Sequence, residues 1–124
     1  MGLHDILAHA VHSAGLHRIS TRPCPGRVRV VHDGVLLAES DRALELRETG
    51  APTRLYLPRE DVRMDLLAPS ATTSHCPFKG DAVYFSAPGG ADAFWSYAAP
   101  PAAEAAPIAG MLAPRAGPVE VILG

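Results

Sequence analysis

The sequence predicts a mainly β domain, and three observations carry that prediction. From Arg27 onward the apolar residues recur with a period of two in short runs, the spacing that places them on one face of a pleated strand. Gly, Pro and Asp-Gly pairs separate those runs at short intervals, as turns do between antiparallel strands. The twelve prolines fall between the runs rather than within them, where a missing amide would break a ladder. Many short strands with frequent punctuation describe a sandwich, a barrel or a folded-over sheet.

The exception comes first along the chain. Leu3, Leu7, Ala10, Val11 and Ala14 recur at helical spacing, Ile6 widens the stripe and Gly15 ends it. That predicts an amphipathic helix over residues 3–14, packed on the domain or on a second copy as a homodimer. Residues 1–20 are thus expected as helix and linker, and residues 21–124 as one β-rich domain. Thr21 to Gly26 holds two prolines and a glycine and is expected to be irregular.

Arg27 to Glu39 predicts a hairpin. Val28 and Val30 alternate with Arg29, and Asp33-Gly34 supplies the positive φ angles of a type I′ turn. Ala43 to Glu48 predicts a third strand, with Leu44 and Leu46 on one face. Arg54 to Leu57 predicts a fourth, ended by Pro58. Arg59 to Leu67 fits either a helical turn or a short strand. Asp81 to Ala87 and Ala93 to Ala98 are strands separated by Pro88-Gly89-Gly90. Residues 99–107 form a Pro- and Ala-rich connection with room for a short helix, and Val119 to Leu123 is a last strand.

A chain of 124 residues fits one domain. Twenty-one of its apolar residues are alanine, so the larger side chains suffice for one small core. Net charge is −2, and acids are interspersed with the arginines, which argues against nucleic acid as a partner. No stretch approaches the ~20 apolar residues of a membrane span. His4, Asp5, His9 and His12 interrupt the N-terminus too often for a signal peptide. The expected location is the cytoplasm, where Cys24 and Cys76 stay unpaired.

Two cysteines without a Cys-x-x-Cys pair do not make a structural zinc site. Asp5, His9 and His12 have metal-ligand spacing on one helix face, yet a solvated face lacks groups to orient its ligands. No metal and no cofactor is expected. P-loop, Gly-x-Gly-x-x-Gly, Gly-x-Ser-x-Gly and His-Glu-x-x-His motifs do not occur.

Side-chain alternation carries the functional expectation. Tyr84 shares a face with Ala82 and Ser86, Trp95 and Tyr97 share a face opposite Phe94, and Tyr56 opposes Leu55 and Leu57. The faces holding Val83, Phe85 and Phe94 read as core. If adjacent strands align, Tyr56, Tyr84, Trp95 and Tyr97 form one wall of apolar bodies with polar tips, the composition of a small-molecule cleft. The alternative is that the rings pad the second side of a sheet beneath a loop.

Cys76 and Lys79, the only lysine among eleven basic residues, lie at the mouth of this wall. An ammonium close to a thiol favours the thiolate, which makes Cys76 a candidate nucleophile activated by Lys79. His75 points to the other side of an extended segment and is not placed to act as its base. A buried cysteine is more commonly a small hydrophobe. Lys79 alternatively holds an anionic group of a ligand, or pairs with Asp61 or Asp81. Glu60, Asp61 and Asp65 are a candidate acid/base or ion-binding group, although carboxylates at a chain reversal ordinarily cap backbone amides. Asp61, following Leu57-Pro58, is the one expected to face the cleft.

From Arg27 to Val121 the chain resembles the bacterial and fungal domain-of-unknown-function family 427. The matching stretches are Arg27-Val28-Arg29-Val30, Ala38-Glu39-Ser40-Asp41-Arg42-Ala43, Glu48 and Tyr56-Leu57-Pro58-Arg59-Glu60-Asp61-Val62. They continue with Cys76-Pro77-Phe78-Lys79-Gly80, Tyr84, Trp95-Ser96-Tyr97 and Pro100. The resemblance implies a β-tent architecture of two small antiparallel sheets leaning at an angle, as in methionine-R-sulfoxide reductases and cereblon's ligand-binding domain. Those relatives often hold zinc through cysteine pairs, which this chain lacks. The family also carries a nucleotidyltransferase label, but no Gly-Ser element with paired aspartates stands here to hold magnesium and triphosphate. Two departures matter. Ala98 stands where members usually have proline after Trp-x-Tyr, and Leu112-Ala113-Pro114 where they tend to carry a Phe-Tyr pair.

The expected function is therefore binding of an unidentified small molecule. Tyr56, Tyr84, Trp95 and Tyr97 supply surface, Lys79 charge, and Ser40 and Asp61 orienting hydrogen bonds. The alternatives are a thiol-dependent enzyme using Cys76 with Lys79, and a structural module dimerising through the N-terminal helix.

Overall fold

The computed structural model describes residues 17–124, so the helix expected over residues 3–14, with its histidines and its dimer contact, lies outside the described residues. Within them the chain is mainly β, with ten strands in three antiparallel sheets rather than the two expected.

The hairpin forms where Asp-Gly demands it. Strands β2 (Val28–His32) and β3 (Val35–Ser40) flank Asp33 and Gly34, whose φ angles are 48° and 75°. Both are left-handed, as the type I′ turn requires. Strand β10 (Glu120–Leu123) pairs with the other side of β2, giving the order β10-β2-β3. Two hydrogen bonds between Arg27 and Gly124, of 2.8 and 2.9 Å, pin its end.

A second sheet has the order β1-β4-β5, from Ile19–Pro23, Leu44–Glu48 and Arg54–Tyr56. Strand β1 corrects the expectation of an irregular Thr21 to Gly26. It lies at a sheet edge, where a terminal proline breaks no interior ladder.

The third sheet, β6-β7-β8-β9, contains Ala68–Cys76, Gly80–Ala87, Gly90–Tyr97 and Ala113–Pro114. Strand β6 has almost every residue exposed, so it carries no apolar alternation by which to be read. Cys76 pairs with Gly80 across a tight turn, which makes Cys-Pro-Phe-Lys-Gly a hairpin connection. Short 3₁₀ turns at Arg59–Asp61 and Met64–Leu66 resolve that ambiguous segment as helical, and a third spans Ala103–Ile108.

Burial produces two clusters instead of one small core. The first gathers Val28, Val30, Leu37, Leu57, Phe94 and Leu112; the second gathers Ile19, Leu46, Tyr56, Tyr97 and Ile108. Burying each such aliphatic side chain is worth about 1.5–3 kcal/mol. Strand β8 serves both clusters, with Phe94 in one and Tyr97 in the other. Phe85 packs on the first as expected. Val83 does not: it is 46% exposed, flanked across the ladder by Thr73 and Ser96 and beyond the reach of that cluster. Among the described residues no helix is long and apolar enough to cross a membrane.

Candidate functional site

The β7–β8 register sets Tyr84 opposite Trp95 and Ala82 opposite Tyr97. Because side chains alternate, this puts three rings on one face, and the small Ala82 leaves room for them. Tyr56 reaches the same face from β5. Its ring meets Trp95 edge-on, with centroids 6.3 Å apart and planes at 88°, and Trp95 Nε1 donates a 3.3 Å hydrogen bond to its hydroxyl. Tyr84 Oη lies 3.0 Å from Ser74 Oγ. The four rings converge in the second cluster, graded from fully buried Tyr56 and nearly buried Tyr97 to half-buried Tyr84 and Trp95.

Burial pushes the Tyr56 phenol up to about 12, opposed by the Trp95 hydrogen bond. Burial also raises Tyr97, reinforced by neighbouring Tyr56 and Cys76. Both phenols therefore stay neutral, able to donate a hydrogen bond, at ordinary pH.

A cleft of about 390 Å³ opens where the β1-β4-β5 and β6–β9 sheets meet. Tyr84, Trp95 and Tyr97 line it from the latter sheet, Glu48 and Arg54 from the former, with Lys79 and Arg115 completing the polar lining. Tyr56 lies beneath this surface rather than on it.

Lys79 does not pair with Asp61 or Asp81. Its ammonium donates to Glu48 Oε1 at 2.7 Å, with both side chains only about one-tenth exposed (12% and 11%). It also lies 5.7 Å from the centre of the Tyr97 ring. The other Glu48 oxygen meets His17 Nε2 at 3.2 Å, and His17 stacks on Phe78 at 4.0 Å. The β6–β7 turn thus presents Phe78 to His17 and Lys79 to Glu48. Gly80, at φ +93°, makes the turn possible, since a Cβ there would stand 3.1 Å from the Ala99 carbonyl oxygen. Glu48 and His17 were not expected at this site. Glu48 stood among the family-like residues, but no pattern in the sequence identifies its partners 31 residues away.

Asp81 pairs instead with exposed His75, at 2.7 Å. Cys76 is half-buried against the second cluster, while the ammonium meant to activate it faces Glu48. Cys24 is buried, and burial foremost pushes its thiol up. Both thiols are free.

Ser40 and Asp61 come together, but not here. Buried Ser40 donates to Asp61 Oδ2 at 2.6 Å and accepts from the Arg42 amide at 2.9 Å. They line a separate hollow of about 240 Å³ with Arg27, Glu39, Asp41 and Arg42. The Ser40 hydrogen bond, then Arg42, holds the Asp61 carboxyl below the usual carboxylate range. Glu60 and Asp61 also meet the Arg42 guanidinium, and Asp65 meets Arg63. The acids expected to cap backbone amides thus form ion pairs, with Asp65 also accepting a backbone hydrogen bond. Among the described residues no three His, Cys, Asp or Glu side chains gather in a metal-holding group.

A family model described as a domain of unknown function (DUF427) matches residues 20–123. No curated protein matches the chain significantly.

Proposed function

Starting from the chain's place in the domain-of-unknown-function family 427, to which it belongs across residues 20–123, we propose that it binds a small organic molecule in the cleft between its β1-β4-β5 and β6–β9 sheets. One observation carries this reading: half-buried aromatic faces and a buried ion pair line the same 390 Å³ opening. Sites for small molecules are typically hollows of about 300–1,000 Å³ with apolar walls and a few placed polar groups. Tyr84 and Trp95 offer flat surfaces, neutral Tyr97 a donor, and the Lys79–Glu48 pair a fixed polar floor.

Paired hydrogen bonds of 2.8 and 2.9 Å between Leu57 and Leu112 join the two sheets along one line, which favours a tent-like relation between them. Binding is preferred to thiol catalysis because Lys79 is engaged by Glu48 rather than by Cys76. Glu48, the only acid among the described residues of the lining, is engaged by Lys79 and His17, so metal-assisted nucleotidyl transfer is not part of the proposal. Two free thiols suit a reducing compartment, the cytoplasm.

Trp95 is the only tryptophan, so its emission reports the cleft without interference. A thermal-shift screen of metabolites, followed by Trp95 emission on the hits, tests the reading. Ligands of the native state should raise the melting temperature by mass action, and Tyr84→Ala should weaken them. A broad panel with no stabilising compound, or hits that neither perturb Trp95 nor respond to Tyr84→Ala, would sink it.

A further inference from the structure

We infer that the molecule held in this cleft is a small planar anion whose carboxylate or phosphate group is gripped by Arg54 and Arg115. The inference rests on the cleft reading above and adds charge and shape to it. Arg54 comes from β5 and Arg115 directly follows β9, so two different sheets each deliver one guanidinium to one opening.

Elsewhere on the domain, Arg22, Arg27, Arg29, Arg42 and Arg63 each meet a carboxylate. Arg54 and Arg115, like Arg18, Arg47 and Arg59, make no ion pair among the described residues, but only these two line the cleft. Arg54 lies over the Trp95 ring, 5.7 Å from its centre, an arrangement that holds the guanidinium face and leaves its in-plane donors open. Arg115 uses Nη1 on the Asp92 backbone carbonyl at 3.1 Å. That bond orients the fork while most of its five donors stay available.

Lys79 contributes no excess charge, because Glu48 neutralises it at 2.7 Å. Among the described residues the cleft therefore holds three cations and one carboxylate, in a chain whose net charge is −2. A positive hollow in a mildly acidic protein concentrates anions. Guanidinium forks match carboxylate and phosphate oxygens two at a time. Shape follows from the walls: Tyr84 and Trp95 offer ring faces, and 390 Å³ limits the ligand to one or two rings.

The test follows the single indole N–H resonance of Trp95 in the full-length, ¹⁵N-labelled protein. It is titrated separately with benzoate, phenyl phosphate, benzamide and benzylamine. Benzoate or phenyl phosphate should move the resonance saturably and bind roughly tenfold tighter than neutral benzamide, and whichever anion does so identifies carboxylate or phosphate as the group held. Arg54→Gln and Arg115→Gln should each weaken that anion about fivefold or more and leave benzamide unchanged. Arg54→Lys and Arg115→Lys should fall between, since charge is kept and the fork is lost; they replace either glutamine variant that melts below the native protein. Saturable binding with benzamide or benzylamine as tight as the anions would overturn the charge assignment and leave the cleft intact. No saturable shift from any of the four would overturn this inference, and the metabolite screen then decides the cleft reading on its own.

Discussion

Glu48 and Lys79 stand 2.7 Å apart with almost nine-tenths of each side chain out of water. A buried charge is tolerated only while its counter-charge is present. Glu48→Gln leaves the ammonium uncompensated and should lower stability by about 3 kcal/mol, seen as a reduced urea midpoint at unchanged slope. Adding Lys79→Met should restore most of that loss, and a double variant no better than the single one would contradict the pairing. Asp61 behaves differently. Its folded pKa lies below the unfolded value, so its contribution is present above about pH 4 and fades as pH falls further. Ser40→Ala removes the foremost cause, and a carbon-detected NMR titration should show the Asp61 pKa rising toward the usual range. Tyr56 acts at the opposite end. Its pKa is raised to about 12, so its stabilisation holds below about pH 10 and is lost as pH climbs through 12. Tyr56→Phe should flatten that alkaline loss in a pH series of thermal melts. Alternation made the shared face of Trp95 and Tyr97 legible, because strand geometry fixes which side chains of one strand share a face. The arrival of Tyr56 from a different sheet was not encoded by it. Nor was the partner of Lys79, since Glu48 reaches it from another sheet, and no local pattern encodes such a pairing.

The elements divide along a similar line. The β2–β3 hairpin was readable because Asp33-Gly34 names its own turn and interior valines mark its buried face. Strands β1 and β6 were not, as both sit at sheet edges. β6 has solvent on nearly every residue, and β1 ends in a proline that only an edge tolerates. Asp61 was expected at the aromatic wall because it follows Leu57-Pro58, and Ser40 was expected beside it as a second orienting group. The 3₁₀ turn at Arg59–Asp61 instead carries Asp61 to the end of β3. Between β1 and β2, Gly26 has φ +81°, and any Cβ there would collide with the Gly124 carbonyl that receives the Arg27 amide. Gly26→Ala should therefore cost about 2–4 kcal/mol through backbone strain and overpacking. Amide exchange should show β10 loosened first, and protection of Val121 and Leu123 equal to that of the native protein would contradict this account.

Across the whole molecule, periodic runs announce strands but not their neighbours, which is why three sheets and two clusters replace the simpler arrangement expected. Pairing is decided by contacts far apart in sequence. The mainly β character was legible; the burial of Tyr56 beneath the other three rings and the seam along which the cleft opens were not. Buried side chains of both sheets back that seam. Leu57 and Leu112 exchange two hydrogen bonds, 2.8 and 2.9 Å long, between the edge strands β5 and β9. A bound guest touching Arg54 on one side and Trp95 on the other would brace this crease as a wedge braces a hinge. Hydrogen–deuterium exchange at the Leu57 and Leu112 amides should slow when the opening is filled, while exchange in the distant β2–β3 ribbon stays as it was. A small spacer lodged there would add its own stiffness to a join that the second buried cluster already shares between the two sheets.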